Sequence, residues 1–241
     1  MNSYELDASI GNGPGSAVWR ANSTSGGSYG QQVILTIVPA VTFKGAPIPL
    51  DNLLGIADLW HPNLAKIFNV GGSRGQVCLA EERIQGLSLH TLARPVLERG
   101  GSASRRRILR ALGIACKALA YLHEHGLYHG GLNSKRVMLT ESGWVKLRGA
   151  GLIKVGTAHR IAHVESAGGA RQIEHGQARD RWAVVKMIEE LALDEDPRAA
   201  RALRDLRRET RPTLNEVSEA FLSTEVGTPA TWWWQAPSDT P

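Results

Sequence analysis

Apolar and polar residues alternate in short runs along the first part of the chain. Residues 4–10, 17–21 and 33–38 have the composition of strands, and the last of these is the β-branched run VILTIV. Glycine-rich turns at residues 11–15 and 25–28 separate them, which predicts an antiparallel meander. Helical spacing of apolar residues predicts a helix over residues 50–60, and two more short strands are expected at residues 65–70 and 76–81.

A helical period replaces this alternation after residue 86. It predicts a long amphipathic helix over residues 104–123, followed by a strand pair at 137–140 and 144–147. A polar, glycine-rich loop is expected at residues 149–178, and helices at 181–193, 197–208 and 214–222. This order predicts an α+β fold with two lobes: a small antiparallel lobe with one helix (1–86) and a mainly helical lobe (87–224). A Trp- and Pro-rich tail follows at 225–241.

Composition narrows the classes of protein to consider. The chain has 241 residues, of which 42% are hydrophobic, enough to bury a full core and to exclude wholesale disorder. No uncharged apolar run approaches the roughly 18 to 20 residues of a membrane span. Cys78 and Cys116 are too few for a disulfide framework or a zinc site, so we expect a reducing setting. The expected location is the cytoplasm, or the cytosolic side of a larger membrane-associated protein.

Five motifs occur in the order and at the spacing of a known family. They are GNGPGSAVWRA at residues 11–21, HPNL at 61–64, YLHEHGLYHGGL at 121–132, WVKLRGAGL at 144–152 and RPTLNEV at 211–217. Together they make the chain resemble a eukaryotic-type (Ser/Thr) protein kinase domain of bacterial type. The resemblance implies the two-lobed kinase-like fold from residue 5 to about residue 223. The spacing of the C-lobe motifs leaves no room for the helix that the family calls αG.

The resemblance assigns chemical roles to positions whose residues here lack that chemistry. The phosphate-gripping lysine corresponds to Thr36, its helix partner to Asn52, the proton-accepting aspartate to Gly131, the lysine after it to Asn133, the metal-binding asparagine to Arg136 and the metal-binding aspartate to Gly149. Mg²⁺ prefers oxygen ligands, but Gly149 offers no side chain and the guanidinium of Arg136 repels the ion. We therefore expect a pseudokinase with no catalytic residue, metal or cofactor. Asp51, Lys44 and Lys66 are the candidates for relocated catalytic groups.

Nucleotide binding is a separate question from catalysis. The phosphate-covering loop of the family corresponds to Gly11, Gly13, Gly15 and Ser16, which we interpret as a vestigial loop or a simple hairpin turn. Ile34 replaces the small residue above the adenine, and Glu81 falls at the gatekeeper position, so the pocket is expected to be blocked. Arg136 and Arg148 could instead attract phosphate without a metal. The alternative function is a divergent ATP-binding kinase or nucleotide sensor with weak residual activity.

Three other family positions are expected to be architectural. His129 keeps the histidine of the catalytic loop, and we interpret it as a packed core residue rather than a general base. Asp180 matches the family's aspartate that holds the backbone of that loop. Arg211 matches the arginine that pairs with the end of the activation segment, for which Glu174 is the candidate partner.

Protein partners are the expected ligands of such a domain. We expect a scaffold or regulatory module, phosphorylated by a true Ser/Thr kinase and read by a forkhead-associated domain, with Thr157, Thr228 and Thr231 as candidate sites. The net charge is +5 and 21 of the 28 cations are Arg, but they follow amphipathic helices without interleaved aromatics, so no nucleic-acid partner is expected. The run at 232–234, three Trp, is open to three interpretations: packing on the C-lobe, partner docking, or membrane-interface anchoring.

Overall fold

The structure is a computed structural model that describes residues 3–13, 15–41, 48–73, 75–98, 102–155, 158–162, 169–193, 195–207 and 213–223. Its N-terminal part is an antiparallel five-stranded sheet in the order β1-β2-β3-β5-β4. The strands are β1 (Tyr4–Gly13), β2 (Ser16–Ser23), β3 (Gln32–Pro39), β4 (Ile67–Ser73) and β5 (Gln76–Glu82). Helix α1 (Asp51–Asp58) lies between β3 and β4 in the chain and packs against β4.

The two faces of this sheet have different surroundings. Val33 and Leu35 belong to a small cluster on the outer face, whereas Val38 belongs to the main core. Because successive side chains of a strand point to opposite faces, Ile34 and Thr36 lie on the same inner face as Val38. The inner face is therefore the one turned toward the rest of the molecule.

The second part of the chain is mainly helical. Its elements are β6 (Gly86–Ser88), α2 (Leu89–Glu98), α3 (Ser102–Glu124), β7 (Val137–Thr140), β8 (Val145–Leu147), β9 (Leu152–Val155), β10 (Ala158–Ile161), α4 (Gly169–Glu190), α5 (Pro197–Leu206) and α6 (Leu214–Leu222). Strands β6, β7 and β8 form one small sheet, and β9 and β10 form a separate hairpin. Helix α3 is central, with Leu109, Leu112, Leu119 and Leu122 fully buried.

Local signals explain where the last two helices begin. Asp196 accepts a hydrogen bond from the backbone N–H of Arg198 and precedes Pro197, which suits the first position of α5 because its missing N–H would have no helical partner. Thr213 and Glu216 form a reciprocal capping box at the start of α6.

The predicted α+β architecture, an antiparallel N-lobe and a helical C-lobe, is confirmed. In the described part of the chain between α4 and α6, α5 is the only helix, as expected for a C-lobe without αG. The domain boundaries at residues 86 and 224 stay predictions, and the tail 225–241 lies outside the described residues.

The predicted loop at residues 149–178 is wrong. This segment contains the β9–β10 hairpin, and α4 begins at Gly169 rather than at residue 181. In the first turns of α4 only Gly176 and Asp180 are buried, and neither has a large apolar side chain. The sequence of these turns therefore shows no apolar period that would predict a helix. Helix α2 was not predicted either, and Pro95 lies inside it.

No helix within the described ranges has the length and apolar character needed to cross a membrane.

Candidate functional site

The motif residues converge between the two lobes. The glycine-rich segment forms the β1–β2 hairpin, in which Gly11 pairs with Val18 and Gly13 pairs with Ser16. The hairpin is therefore formed, and Ser16, the partner of Gly13, is buried. Pro14 at its tip lies outside the described residues.

Strand β3 presents no charge to the space beneath this hairpin. Thr36 is buried on the inner face and pairs with Val18 on one side and Leu79 on the other. Ile34, on the same face, pairs with Arg20 and Glu81. The position expected to grip phosphate thus holds a short hydroxyl side chain between two apolar neighbours.

Asn52 of α1 does not reach across to β3. Its side-chain amide donates to the carbonyl of Tyr128 at 2.9 Å, and its side-chain oxygen accepts the N–H of Tyr128 at 2.9 Å. This two-point contact fixes the backbone just before His129 to the helix. Asn52 therefore positions the loop at 129–136 rather than a partner on β3.

The side chain of Asp180 binds the backbone of the same loop. This fully buried carboxylate accepts the N–H groups of His129 and Gly130, each at 2.7 Å. A third donor, His123 Nε2, lies 3.1 Å away. Hydrogen bonds to an ionised acceptor are among the stronger ones in proteins, so Asp180 is a firm anchor for the loop.

His129 is a buried, neutral histidine. Its Nε2–H donates to the carbonyl of Arg148 at 3.2 Å, while its Nδ1 accepts the N–H of Gly131 at 3.4 Å. Burial, together with the nearby positive charge of Arg136, lowers the pKa of His129 to about 4. The imidazole is therefore uncharged at neutral pH and links two backbone segments, with its one N–H and its one acceptor nitrogen both hydrogen-bonded.

Arg136 occupies the space where the resemblance places a metal ligand. It is buried, and its Nη1 donates to the carbonyl of Gly149 at 2.6 Å and to the carbonyl of Leu152. Burial lowers the pKa of Arg136 to about 10, partly offset by the negative charge of Glu81, so it stays charged at neutral pH. Its Nη1 thus donates to the chain itself, and the expectation that Arg136 attracts phosphate stays a prediction.

Glu81 completes this buried polar cluster from the N-lobe. Its carboxylate accepts the backbone N–H of Gly149. Burial raises the pKa of Glu81, and this effect exceeds the opposing effects of the Gly149 hydrogen bond and the charges of Arg148 and Arg136. Glu81 thus binds the N–H of Gly149, and Arg136 binds the carbonyl of the same residue.

Neither glycine of the site has room for a side chain. A Cβ on Gly131 would collide with the carbonyl oxygen of Leu152 and lie 3.0 Å from Arg136 Nη1. A Cβ on Gly149 would lie 3.1 Å from the same nitrogen, and Gly149 has a positive φ of 70°, which side chains disfavour. The guanidinium of Arg136 fills the volume that two carboxylates would need.

The residues present do not fit Mg²⁺. The two expected ligand positions hold Gly149, without a side chain, and Arg136, a cation. Across the part of the chain that the structure describes, no cluster of three or more His, Cys, Asp or Glu side chains could hold a metal ion. Asn133, another polar residue of the loop, closes a local turn by donating to the carbonyl of Gly131 at 3.3 Å and accepting the N–H of Lys135 at 3.0 Å.

The β9–β10 hairpin contacts elements of both lobes. Strand β10 packs against β1, β2 and β3, the strands that roof the site. Ile161 of β10 is buried in the main core, which also contains Val38 of the inner face. At the other end, Ala162 lies against Gly130, where an added Cβ would be 2.5 Å away. The hairpin therefore touches both the glycine-rich strands and the loop at 129–136.

The remaining predicted positions do not join this cluster within the described residues. Arg211, Thr157, Thr228, Thr231 and Lys44 lie outside the described residues. Asp51 is exposed, and Lys66 is exposed with its ammonium 5.7 Å from the ring centroid of Phe68. The contacts of Arg136 were missed from the sequence because its partners are backbone carbonyls, which leave no side-chain pattern.

Comparison with known proteins identifies the family. A family model described as protein tyrosine and serine/threonine kinase matches residues 4–191. The chain belongs to this protein kinase family. The matched residues contain the five-stranded sheet and four of the five motifs, and the two-lobed fold and the family inferred from the motifs are confirmed.

Relatives among curated proteins are distant kinases of bacteria, animals and plants. The chain is similar to Mitogen-activated protein kinase kinase kinase kinase 3 of Homo sapiens, with 25% identity over 205 residues, 78% of this chain and 22% of that protein. It is also similar to Probable serine/threonine-protein kinase PknB of Lactococcus lactis, with 22% identity over 188 residues, 76% of this chain and 29% of that protein. The chain thus spans less than a third of the length of these relatives.

Proposed function

We propose that this kinase-family domain is a pseudokinase that acts as a scaffold or regulatory protein-interaction module. The observation that carries the proposal is the buried guanidinium of Arg136, bonded to the carbonyls of Gly149 and Leu152. Phosphoryl transfer requires groups that bind the metal, grip the phosphates and orient the acceptor hydroxyl. At these positions the chain has a cation, a threonine and a glycine.

The packing around Arg136 argues against a simple relocation of the metal site. Its charge is paired with backbone carbonyls and lies in the field of Glu81. A divalent cation brought beside it would meet repulsion in a buried, poorly screened environment. The nearby glycines supply no side-chain oxygen ligands, and a Cβ added at Gly131 would collide with the carbonyl oxygen of Leu152.

The position of the β9–β10 hairpin is a second argument, this one against nucleotide binding. A nucleotide beneath the β1–β2 hairpin would have to displace β10, whose Ile161 is buried in the main core. Displacement would expose that apolar surface to water, at a cost of about 25 cal/mol per Å². Ile34 and Glu81 add bulk and negative charge on the inner face of the same strands.

A phosphotransfer assay on the full chain tests the absence of catalysis. We expect no transfer from ATP to the chain itself or to a generic protein substrate, with Mg²⁺ or with Mn²⁺. The matched control is Ile34→Trp, which fills the inner face of β3 further. Metal-dependent transfer by the unaltered chain that disappears in Ile34→Trp would overturn the proposal, because a contaminating kinase would not respond to that substitution.

A separate experiment tests the proposed role as a protein-interaction module. The proposed partners are a true Ser/Thr kinase and a phosphothreonine-binding, forkhead-associated domain, because a phosphate adds a charge of about −1.5 to −2 that such a domain can recognise. The candidate sites are Thr157, Thr228 and Thr231. Treatment with a cognate kinase, phosphosite mapping and a pull-down are expected to give capture that Thr→Ala at the mapped site abolishes. Absence of any phosphothreonine at these positions would reject this route.

A divergent ATP-binding kinase or nucleotide sensor is the second candidate. Two observations favour it: the β1–β2 hairpin is formed with Gly11 and Gly13 in place, and the relatives compared above are named as kinases. This candidate predicts nucleotide binding by the unaltered chain, whereas the pseudokinase proposal predicts none. Proximity to a membrane, through a longer protein that contains this domain, is part of the pseudokinase proposal and is not deduced from the fold.

A further inference from the structure

An aromatic groove lies on the surface away from the closed site. Its cavity has a volume of about 500 Å³ and lies beside the end of α1, the start of β4 and strand β8. Two of its lining residues are strongly exposed tryptophans, Trp60 at 70% and Trp144 at 57%. We call this cavity, lined also by Pro62, Lys66 and Phe68, the Trp60–Trp144 groove. Indole rings this exposed are enriched at interfaces, because they bury a large apolar area when a partner covers them.

The charge of the groove is positive. Lys146 and Glu82, both lining it, form an ion pair at 2.6 Å and compensate each other. Lys66 lies on the rim with its ammonium above the Phe68 ring, 5.7 Å from the centroid, and adds an exposed cation. An aromatic ligand with negative charge therefore suits the groove better than a basic one.

We propose that the chain's own C-terminal segment, residues 224–241, docks in the Trp60–Trp144 groove. This segment contains Trp232, Trp233 and Trp234 between Pro229 and Pro237. Its charged residues are Glu225 and Asp239, without Lys or Arg, so its charge is opposite to that of the groove. Proline-flanked aromatic residues suit a groove lined by indole and phenyl rings because they are stiff and lose little entropy on binding.

The chain between Leu222 and the tryptophans is long enough to reach the groove. Helix α6 runs antiparallel to α3, since Asn215 bonds Glu124 at 2.8 Å whereas Leu222 lies against Gly113. Eight residues along α3 separate Gly113 from Tyr121, about 12 Å at 1.5 Å per residue. The Tyr121 ring lies 4.8 Å from the ring of His61, which lines the groove. Ten residues from Leu222 to Trp232 span up to about 33 Å, well beyond this path.

A second cavity, closer to the end of α6, is the competing place for the same segment. It has a volume of about 560 Å³ and lies between α5 and α6, with Ser223 on its rim. Its apolar lining consists of small side chains, Ala202, Val217 and Ala220, among charged residues such as Arg201. It offers no aromatic partner to an indole, so we assign the tryptophans to the Trp60–Trp144 groove.

Intramolecular disulfide formation in the full chain tests the assignment. The test variant is Gln31→Cys with Gln235→Cys, which keeps Lys66 and places the thiol on another exposed lining residue, in a Cys78→Ala background because Cys78 is partly exposed. The matched control is Arg201→Cys with Gln235→Cys in the same background, which probes the cavity between α5 and α6. Under mild oxidation we expect a monomeric disulfide in the test variant at least tenfold faster than in the control. Equal rates, a faster control or a disulfide that forms only between two copies would overturn the proposal.

Thermal unfolding gives a second readout. Replacing Trp232, Trp233 and Trp234 together by Ala is expected to lower the Tm of the full chain by several degrees. The same replacement in a Trp60→Ala, Trp144→Ala background is expected to change the Tm by less than half as much, since coupled groups lose their effect together. Trp182→Ala is the control background, because Trp182 is also an exposed tryptophan, at 52%, but lies on α4. Full additivity in the Trp60/Trp144 background would contradict the docking.

Discussion

Two sides of one loop differ in what holds them. On one side, the amide of Asn52 and the carboxylate of Asp180 bind the backbone of residues 128–130. On the other side, where metal and phosphate chemistry is expected, Arg136 and Glu81 bind the backbone of Gly149 instead. Both sides are well connected, so stability of the loop does not require catalytic groups. The comparison separates the groups that build a kinase fold from those that perform its reaction.

The largest expected effect is on the anchoring side. Asp180→Ala leaves the N–H groups of His129 and Gly130 buried without an acceptor, so we expect it to lower the free energy of unfolding by about 3 to 5 kcal/mol. Asp180→Asn keeps one acceptor oxygen and is expected to cost about half as much. Urea denaturation of the full chain measures both. If Asp180→Ala lost less than about 1 kcal/mol, the loop would not depend on this anchor.

The substitute cluster is expected to show the next largest effect. Arg136→Met removes the donor to two carbonyls and one of the two cations, Arg136 and Arg148, that act on Glu81, for an expected loss of about 2 to 4 kcal/mol. Arg201→Met is the matched control: its exposed i,i+4 pair with Asp205 is worth less than about 0.5 kcal/mol. Denaturation of both variants gives the comparison.

A double-mutant cycle with Glu81→Gln sharpens that result. In the Arg136→Met background, Glu81→Gln removes a buried carboxyl group that has lost one of its two nearby cations, so its cost is expected to be at least about 1 kcal/mol lower than in the unaltered chain. Additive losses would mean that Arg136 and Glu81 stabilise Gly149 independently of each other.

The smallest expected effect distinguishes steric from conformational constraint. Gly149→Ala and Gly75→Ala both place a side chain on backbone with positive φ, 70° and 77° respectively. An added Cβ at Gly75 meets nothing within 4 Å, whereas at Gly149 it lies 3.1 Å from Arg136. We expect Gly75→Ala to cost about 1 kcal/mol and Gly149→Ala about 2 kcal/mol. Equal costs in thermal and urea unfolding would show that Arg136 moves aside freely.

The sequence predicted the parts of this molecule that have a regular apolar period or a family motif. Strand β3 was predicted from its β-branched run, and α6 from its apolar spacing. The β9–β10 hairpin was missed because its short strands follow a glycine-rich turn and carry no clear alternation. The burial of Arg136 could not be predicted, since an arginine bound to carbonyls looks in sequence like any exposed arginine.

Nucleotide binding by the unaltered chain tests the central claim most directly. A ligand that binds only the folded state raises its stability by RT ln(1 + [L]/Kd), about 2.7 kcal/mol at one hundred times Kd, which amounts to several degrees of Tm. We predict that ATP at millimolar concentration, with or without Mg²⁺ or Mn²⁺, changes the Tm by less than 1 °C, as for an equal ionic strength of salt. A rise of several degrees that requires the metal would contradict the account, because it would need a nucleotide and a cation in the space held by Arg136 and the β9–β10 hairpin.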